Sequence, residues 1–252
     1  MRDVVVCLIR EWHIGLKTPR NILIELIYPF MYLTIFAPTM AMVIGTVEWM
    51  GREVPYLTYV IPGIMAMSAV SVGNAAAINI YIDRLSGEME IMFSLPIRRV
   101  AILAGYAANA VVRSLVSSIA FLAIALMVTP WAFTVSLSGV PGLVAIIALS
   151  AIGWSMFGAT LAFSIRRQST YNLVYNLIQL PIVFTSSMLY NPVRGPAITR
   201  WLGPVNPLTF ATNALRACCA GTQVSTSDVV GLCVFTALTV LSASWVIGSS
   251  SN

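Results

Sequence analysis

An all-α membrane protein is the fold class this sequence predicts, and three observations predict it. Hydrophobic residues fill 58% of the 252 positions and charged ones 9%, with a mean hydropathy of +0.87. Soluble domains are charged at roughly a quarter of positions, so this chain is built for lipid. Second, six apolar runs come near or exceed the about 20 residues a helix needs to cross a bilayer: Ile22 to Val47, Tyr56 to Ile82, Val100 to Val128, Leu143 to Ile165, Tyr171 to Leu189 and Val229 to Ile247. Third, the basic residues fall unevenly on the two sides that these runs define.

The elements follow in order. Over residues 1–20, Val5, Leu8, Ile9, Trp12 and Leu16 recur at helical spacing, with Asp3, Arg10, His13 and Lys17 on the opposite face. That pattern predicts an amphipathic helix lying in the headgroup plane, Trp12 its anchor and Arg10, His13 and Lys17 in water. The apolar stretch Val4 to Ile9 is too short for the core of a secretory signal. Pro55 precedes the second run, Pro96 the third and Pro141-Gly142 the fourth, while Thr129-Pro130 closes the third. Pro29 and Pro38 predict kinks in the first.

Residues 83–99 form a charged loop in a chain that otherwise avoids charge. Ser86 predicts a helix N-cap, and Glu88 and Glu90 suit the positive end of the helix that follows. Met89, Met92 and Phe93 make one apolar face, Leu95-Pro96 ends the helix, and Arg98-Arg99 anchors the next run at the headgroups. So short a helix is unstable alone in water. Its face rests on the membrane, on the protein's own helices, or in a partner's groove.

Residues 190–228 carry Pro192, Pro196, Pro204 and Pro207 around two apolar pieces, Ala197 to Leu202 and Leu208 to Ala220. Neither crosses a bilayer comfortably alone, and bare backbone is not tolerated in lipid. A re-entrant helical hairpin is predicted, the alternative being an external loop with one surface helix. No internal repeat or soluble domain is evident, so 1–252 is read as one membrane unit.

Orientation follows from Lys and Arg. Arg2, Arg10, Lys17, Arg20, Arg84, Arg98, Arg99, Arg166 and Arg167 lie on one side; Arg52, Arg194, Arg200 and Arg216 lie on the other. The richer side is cytoplasmic by the positive-inside rule, so both termini are expected there, in the cell (plasma) membrane. The net charge of +5 therefore encodes orientation, and no nucleic acid is expected as partner. The four cysteines, Cys7, Cys218, Cys219 and Cys233, lack metal-site spacing and read as small packing residues.

The sole lysine, Lys17, has no phosphate-binding loop around it, since Leu16 stands where that motif needs glycine. The sole histidine, His13, precedes every run, and Glu25, the acid within a run, has no acidic neighbour. Hydrolytic chemistry is therefore not expected. The embedded charges Glu25 and Arg113 must meet each other or water, and a structural role is the plain reading.

Three stretches together resemble a known family: Tyr59 to Ala66, reading YVIPGIMA; Asp83 to Arg99; and Asn206-Pro207 through Arg216. In this order, among six runs, they resemble the membrane subunit of type-2 ATP-binding-cassette exporters, which carry nodulation factors, O-antigens, teichoic acids and antibiotics. Thr18 to Asn21 and Pro62-Gly63 look nearest to the lipo-oligosaccharide and drug branch. The resemblance implies that Ser86, Glu88, Met89, Glu90, Met92, Phe93 and Leu95 form a coupling helix seated in a separate ATPase subunit. It implies that the amino-terminal helix lies at the same interface and that the segment holding Asn206, Pro207 and Arg216 is an external re-entrant pair. Two ATPase copies, which would hold ATP and magnesium, and a second permease copy complete the assembly it implies, with no cofactor in this chain.

A path for cargo is expected along two stripes. Glu25, Tyr28, Tyr32 and Phe36 share one face of the first run; Asn172, Tyr175, Asn176 and Gln179 share one of the fifth. Lining of a conduit between two copies, for a lipid-linked glycan, glycolipid or hydrophobic drug, competes with plain interhelical packing. The rival functions are a non-transporting anchor or sensor for an ATPase and a stand-alone secondary transporter.

Overall fold

A helix satisfies its own backbone within one apolar segment, which is why helices are the default where lipid is the solvent. The computed structural model describes residue 27 and residues 30–95, 98–128 and 135–249. Arg10, Trp12, His13, Lys17, Glu25 and Tyr28 lie outside the described residues. Among the described residues a π-helical turn, Tyr32–Phe36, runs into α1, Ala37–Ile44. Pro38 has no N–H to give the preceding turn, and a widened turn is one way a helix absorbs that loss.

Residues 46 and 47 then depart from the expected first run. They begin an antiparallel hairpin, β1 (Thr46–Trp49) and β2 (Arg52–Pro55), paired from Thr46 opposite Pro55 to Trp49 opposite Arg52. Met50 and Gly51 take φ of 51° and 74°, the paired positive values that a tight two-residue hairpin turn requires.

Helix α2, Tyr56–Leu85, leads from the hairpin end of the bundle to the short α3, Glu88–Ser94. Ser86 does not cap α3, as the sequence suggested. Its N–H bonds Ile82 O and its hydroxyl bonds Asp83 O, so it closes α2. Gly87, at φ 77°, supplies the left-handed residue that turns the chain between the two helices. The remaining helices are α4 (Arg99–Val128), α5 (Val140–Ser164), α6 (Gln168–Thr185), α7 (Ala197–Leu202), α8 (Pro207–Ala220) and α9 (Thr226–Ser249). The fifth run is helical only to Thr185; Ser186 to Tyr190 is irregular.

Four helices among the described residues are long and apolar enough to cross a membrane, at Tyr56–Leu85, Arg99–Met127, Leu137–Ser164 and Thr226–Ser249. At 1.5 Å per residue the 30 residues of α2 reach about 45 Å, enough for a tilted crossing. Helix α6 falls outside that set because Asn172, Asn176 and Gln179 dilute its hydropathy.

Small residues set the packing, as they do where helices associate without water's help. A Cβ on Gly73 of α2 would meet Trp154 Cβ of α5 at 2.5 Å, and one on Gly158 of α5 would meet Ala77 Cβ of α2 at 2.5 Å. The two backbones thus touch along one seam. Near the hairpin end, a Cβ on Gly139 would meet Cys218 O at 1.8 Å, so α8 lies hard against the start of α5. Cys218 and Cys219 are buried there as free thiols.

Candidate functional site

The first candidate is a cavity of about 470 Å3 between the Tyr32 turn, α2 and α6. Its polar lining comes from Tyr32, Ser71, Asn74, Asn176 and Gln179, its apolar lining from residues such as Met67, Ile78 and Phe184, and among the described residues no charged side chain contributes. Asn74 Oδ1 accepts from Tyr171 Oη at 3.0 Å, which turns the amide so that its NH2 is the group offered to the cavity. Asn176 is fixed the other way: its Nδ2 donates to Asn172 O at 2.8 Å, leaving Oδ1 as acceptor. Tyr32 is held edge-on to Phe36 with ring centroids 5.2 Å apart. The described residues therefore give the cavity donors, acceptors and ring faces without ionic charge.

The structure brings Tyr32, Asn176 and Gln179 together in this cavity, whose lining the other described members of the two stripes do not join. Asn172 is exposed. Tyr175 is buried in the bundle, its hydroxyl on Val70 O at 3.2 Å and its ring near Tyr171 and Phe157. Phe36 packs against the large core cluster beside α2. Sequence reasoning missed Ser71 and Asn74, although their spacing of three within the second run was the signal it had used on the fifth.

Two exposed faces differ in a way lipid would notice. Along α9, Val230, Val234, Leu238, Leu241 and Trp245 form an apolar stripe, as expected of a surface in acyl chains. On α6 the exposed surface mixes Leu173, Leu177 and Leu180 with Asn172 and Asn176. Polar groups in a span face protein or water.

At the opposite end from the hairpin, α3 is tied to the bundle. Met89 and Met92 are buried, 2% and 8% exposed, in the cluster with Ile80, Tyr81, Ile102 and Tyr106. Of the three locations open to this face, the protein's own core is the one taken. What α3 presents outward is Glu88, Glu90, Ile91, Ser94 and then Leu95, with Ile91 64% exposed. Phe93 is half-buried beneath Arg99, whose Cζ lies 5.0 Å from the ring centroid. Arg99 Nη1 also donates to Ile247 O at 2.9 Å, so one guanidinium joins α3 to the carboxyl end of α9, where a cation suits the helix dipole. Arg84 does the same for α5 through Ala162 O.

The third cluster surrounds Arg216, 3% exposed, on α8. Its Nε donates to Tyr59 O at 2.9 Å, Nη1 to Ser187 Oγ at 3.3 Å and Asn213 Oδ1 at 3.2 Å, and Nη2 to Ser187 O at 2.5 Å and Met188 O at 3.2 Å. Its Cζ stacks 3.6 Å from the Tyr59 ring centroid. All five N–H groups of the fork are thereby used. Arg216 binds α2 and α8 to the irregular chain after α6, whose carbonyls no helix can serve. Asn206 acts alongside it. Its Oδ1 accepts from Leu208 N at 2.9 Å, capping α8 ahead of Pro207, while Nδ2 donates to Ile182 O at 2.6 Å in the last turn of α6.

The sequence model of the family described as ABC-2 type transporter matches residues 2–219. No curated protein matches the chain.

Proposed function

We propose, from the premise that the chain belongs to the ABC-2 type transporter family, that it is the permease of an ATP-driven exporter. As a member it is a membrane-embedded permease component and not itself catalytic. The finer reading adds six spans, with α6 as the fifth and the helix ending at Ile44 as the first, and both termini in the cytoplasm of a plasma-membrane protein. Two ATPase subunits hold ATP and magnesium and grip α3 through its exposed Glu88, Glu90, Ile91 and Leu95. A second copy of this chain faces the mixed surface of α6. The amino-terminal helix with Arg10, Trp12, His13 and Lys17 lies at the ATPase end.

The cavity whose described lining, Tyr32, Asn74, Asn176 and Gln179 among it, holds no charged side chain carries this reading. It is wide, holds amide and phenol groups, and opens beside the one described membrane face that mixes amides with leucines. Such a lining suits an amphipathic cargo with a neutral polar part, as a lipid-linked glycan, glycolipid or hydrophobic drug has. The attachment of α3 supports the drive. With Met89 and Met92 in the core and Phe93 under Arg99, a push on α3 is passed to α2, α4 and α9 as a rigid-body movement.

Accessibility tests it. In a background without native cysteines, Asn176→Cys and Trp245→Cys are exposed to a membrane-impermeant maleimide in the complex with its ATPase. Asn176→Cys should label, at a rate that ATP binding changes, and Trp245→Cys should not. Equal inertness of both positions, with and without ATP, would refute a water-filled path at α6.

A further inference from the structure

We infer that the hairpin end of the bundle holds a binding site for a neutral saccharide unit, in the cavity that Trp49 borders. This cavity, of about 420 Å3, is separate from the one beside α6 and is enclosed by the β-hairpin, the start of α2, α8 and the chain from Gln223 to Asp228. Its size falls within the roughly 300–1,000 Å3 of ordinary ligand pockets.

The ligand class follows from charge and shape. Arg216 lines the cavity, but its five N–H groups are all held by Tyr59, Ser187, Met188 and Asn213, so it has none to turn toward an anion. The Asp228 carboxylate, which lines the same cavity, offsets the Arg216 charge. Glu48 at the rim is paired with Arg194. Among the described residues the lining is thus balanced in charge, and an anionic ligand would meet Asp228 and Glu48 with no cationic donor free to receive it. A purely apolar ligand would cover Asp228 and Gln223 without giving them hydrogen bonds, which is costly. What remains is a neutral molecule rich in hydroxyls with one apolar face. Trp49 and Phe210 offer ring surfaces for that face, and Asp228 and the Gln223 amide offer acceptors and donors for the hydroxyls. A sugar ring has this combination.

Binding here requires neither ATPase nor export, so the test uses the permease alone and its failure leaves the proposed function standing. The full chain in nanodiscs of plain phosphatidylcholine is titrated with maltose, cellobiose, lactose and diacetylchitobiose, and with glucuronate, inorganic phosphate and ethanolamine as charged probes, by calorimetry and ligand-observed NMR. At least one neutral disaccharide should bind saturably and more tightly than every charged probe. Trp49→Ala, at a half-buried position of the hairpin, and Gln223→Ala, at an exposed one, should each weaken it tenfold or more, and Trp49→Phe should restore most of the loss. No disaccharide binding, binding unchanged in both alanine variants, or preference for phosphate, glucuronate or ethanolamine would overturn the assignment.

Discussion

Arg216→Ala removes the group that holds the irregular chain after α6 against α2 and α8, and its cost can be worked from the contacts. Summing five charge-assisted bonds would overstate it, because burying a guanidinium itself costs several kcal/mol. The useful count is of what the truncated protein leaves behind. Ser187 O keeps the Tyr59 hydroxyl at 3.1 Å, Ser187 Oγ keeps Asn213 at 2.9 Å and Tyr59 O stays within the helical ladder of α2, but Met188 O loses the guanidinium. One orphaned buried carbonyl costs about 1–3 kcal/mol, and the lost stacking on Tyr59 about 2 kcal/mol. About 4 kcal/mol is expected for alanine. Lysine keeps the charge but has three donors and no planar fork, so about 2 kcal/mol is expected for Arg216→Lys. Reversible unfolding of the purified protein in bicelles, followed by tryptophan fluorescence, reads both. A lysine variant within about 0.5 kcal/mol of the parent would show that charge alone matters and refute the role given to the fork.

Gly158→Ala should destabilise by about 1–3 kcal/mol through contact with Ala77, and adding Ala77→Gly should recover part of the loss; an additive double mutant in the same unfolding assay would contradict the seam. Asn206→Asp retains the N-cap acceptor for α8 but withdraws the donor from Ile182 O and Thr185 Oγ1. It should cost about 2–3 kcal/mol, more than the loss of a cap bond alone, and equality with the parent would dismiss the double-capping role.

The long apolar runs made α2, α4, α5 and α9 legible, because a membrane helix declares itself by length and composition without help from its neighbours. The pieces Ala197 to Leu202 and Leu208 to Ala220 also emerged as α7 and α8, since prolines bracket them. The hairpin was hidden. Thr46 and Val47 extend an apolar run, and Met50-Gly51 carries only one residue that announces a positive φ, so the turn is clear only once the strands pair. At Ser86 two helix ends lie a residue apart, and a side chain suited to either served the one before it. The cavity beside α6 was half legible: Tyr32, Asn176 and Gln179 could be read from spacing, whereas the inward turn of Tyr175 depends on where α2 and α5 place their backbones. Periodicity likewise identified the apolar face of α3. That this face turns to the protein's own core, leaving Glu88, Glu90, Ile91 and Leu95 outward, depends on tertiary packing that spacing does not encode.

The central claim, that an ATPase drives this permease by gripping the outward face of α3, is tested most directly by purifying the chain from its native membranes with and without the double charge reversal Glu88→Lys and Glu90→Lys. The parent should bring down an ATPase in equal number and hydrolyse ATP. The variant should insert and unfold like the parent, because both positions are exposed, yet lose the ATPase or its hydrolysis by tenfold or more. A variant that retains the ATPase and its full activity would contradict the account.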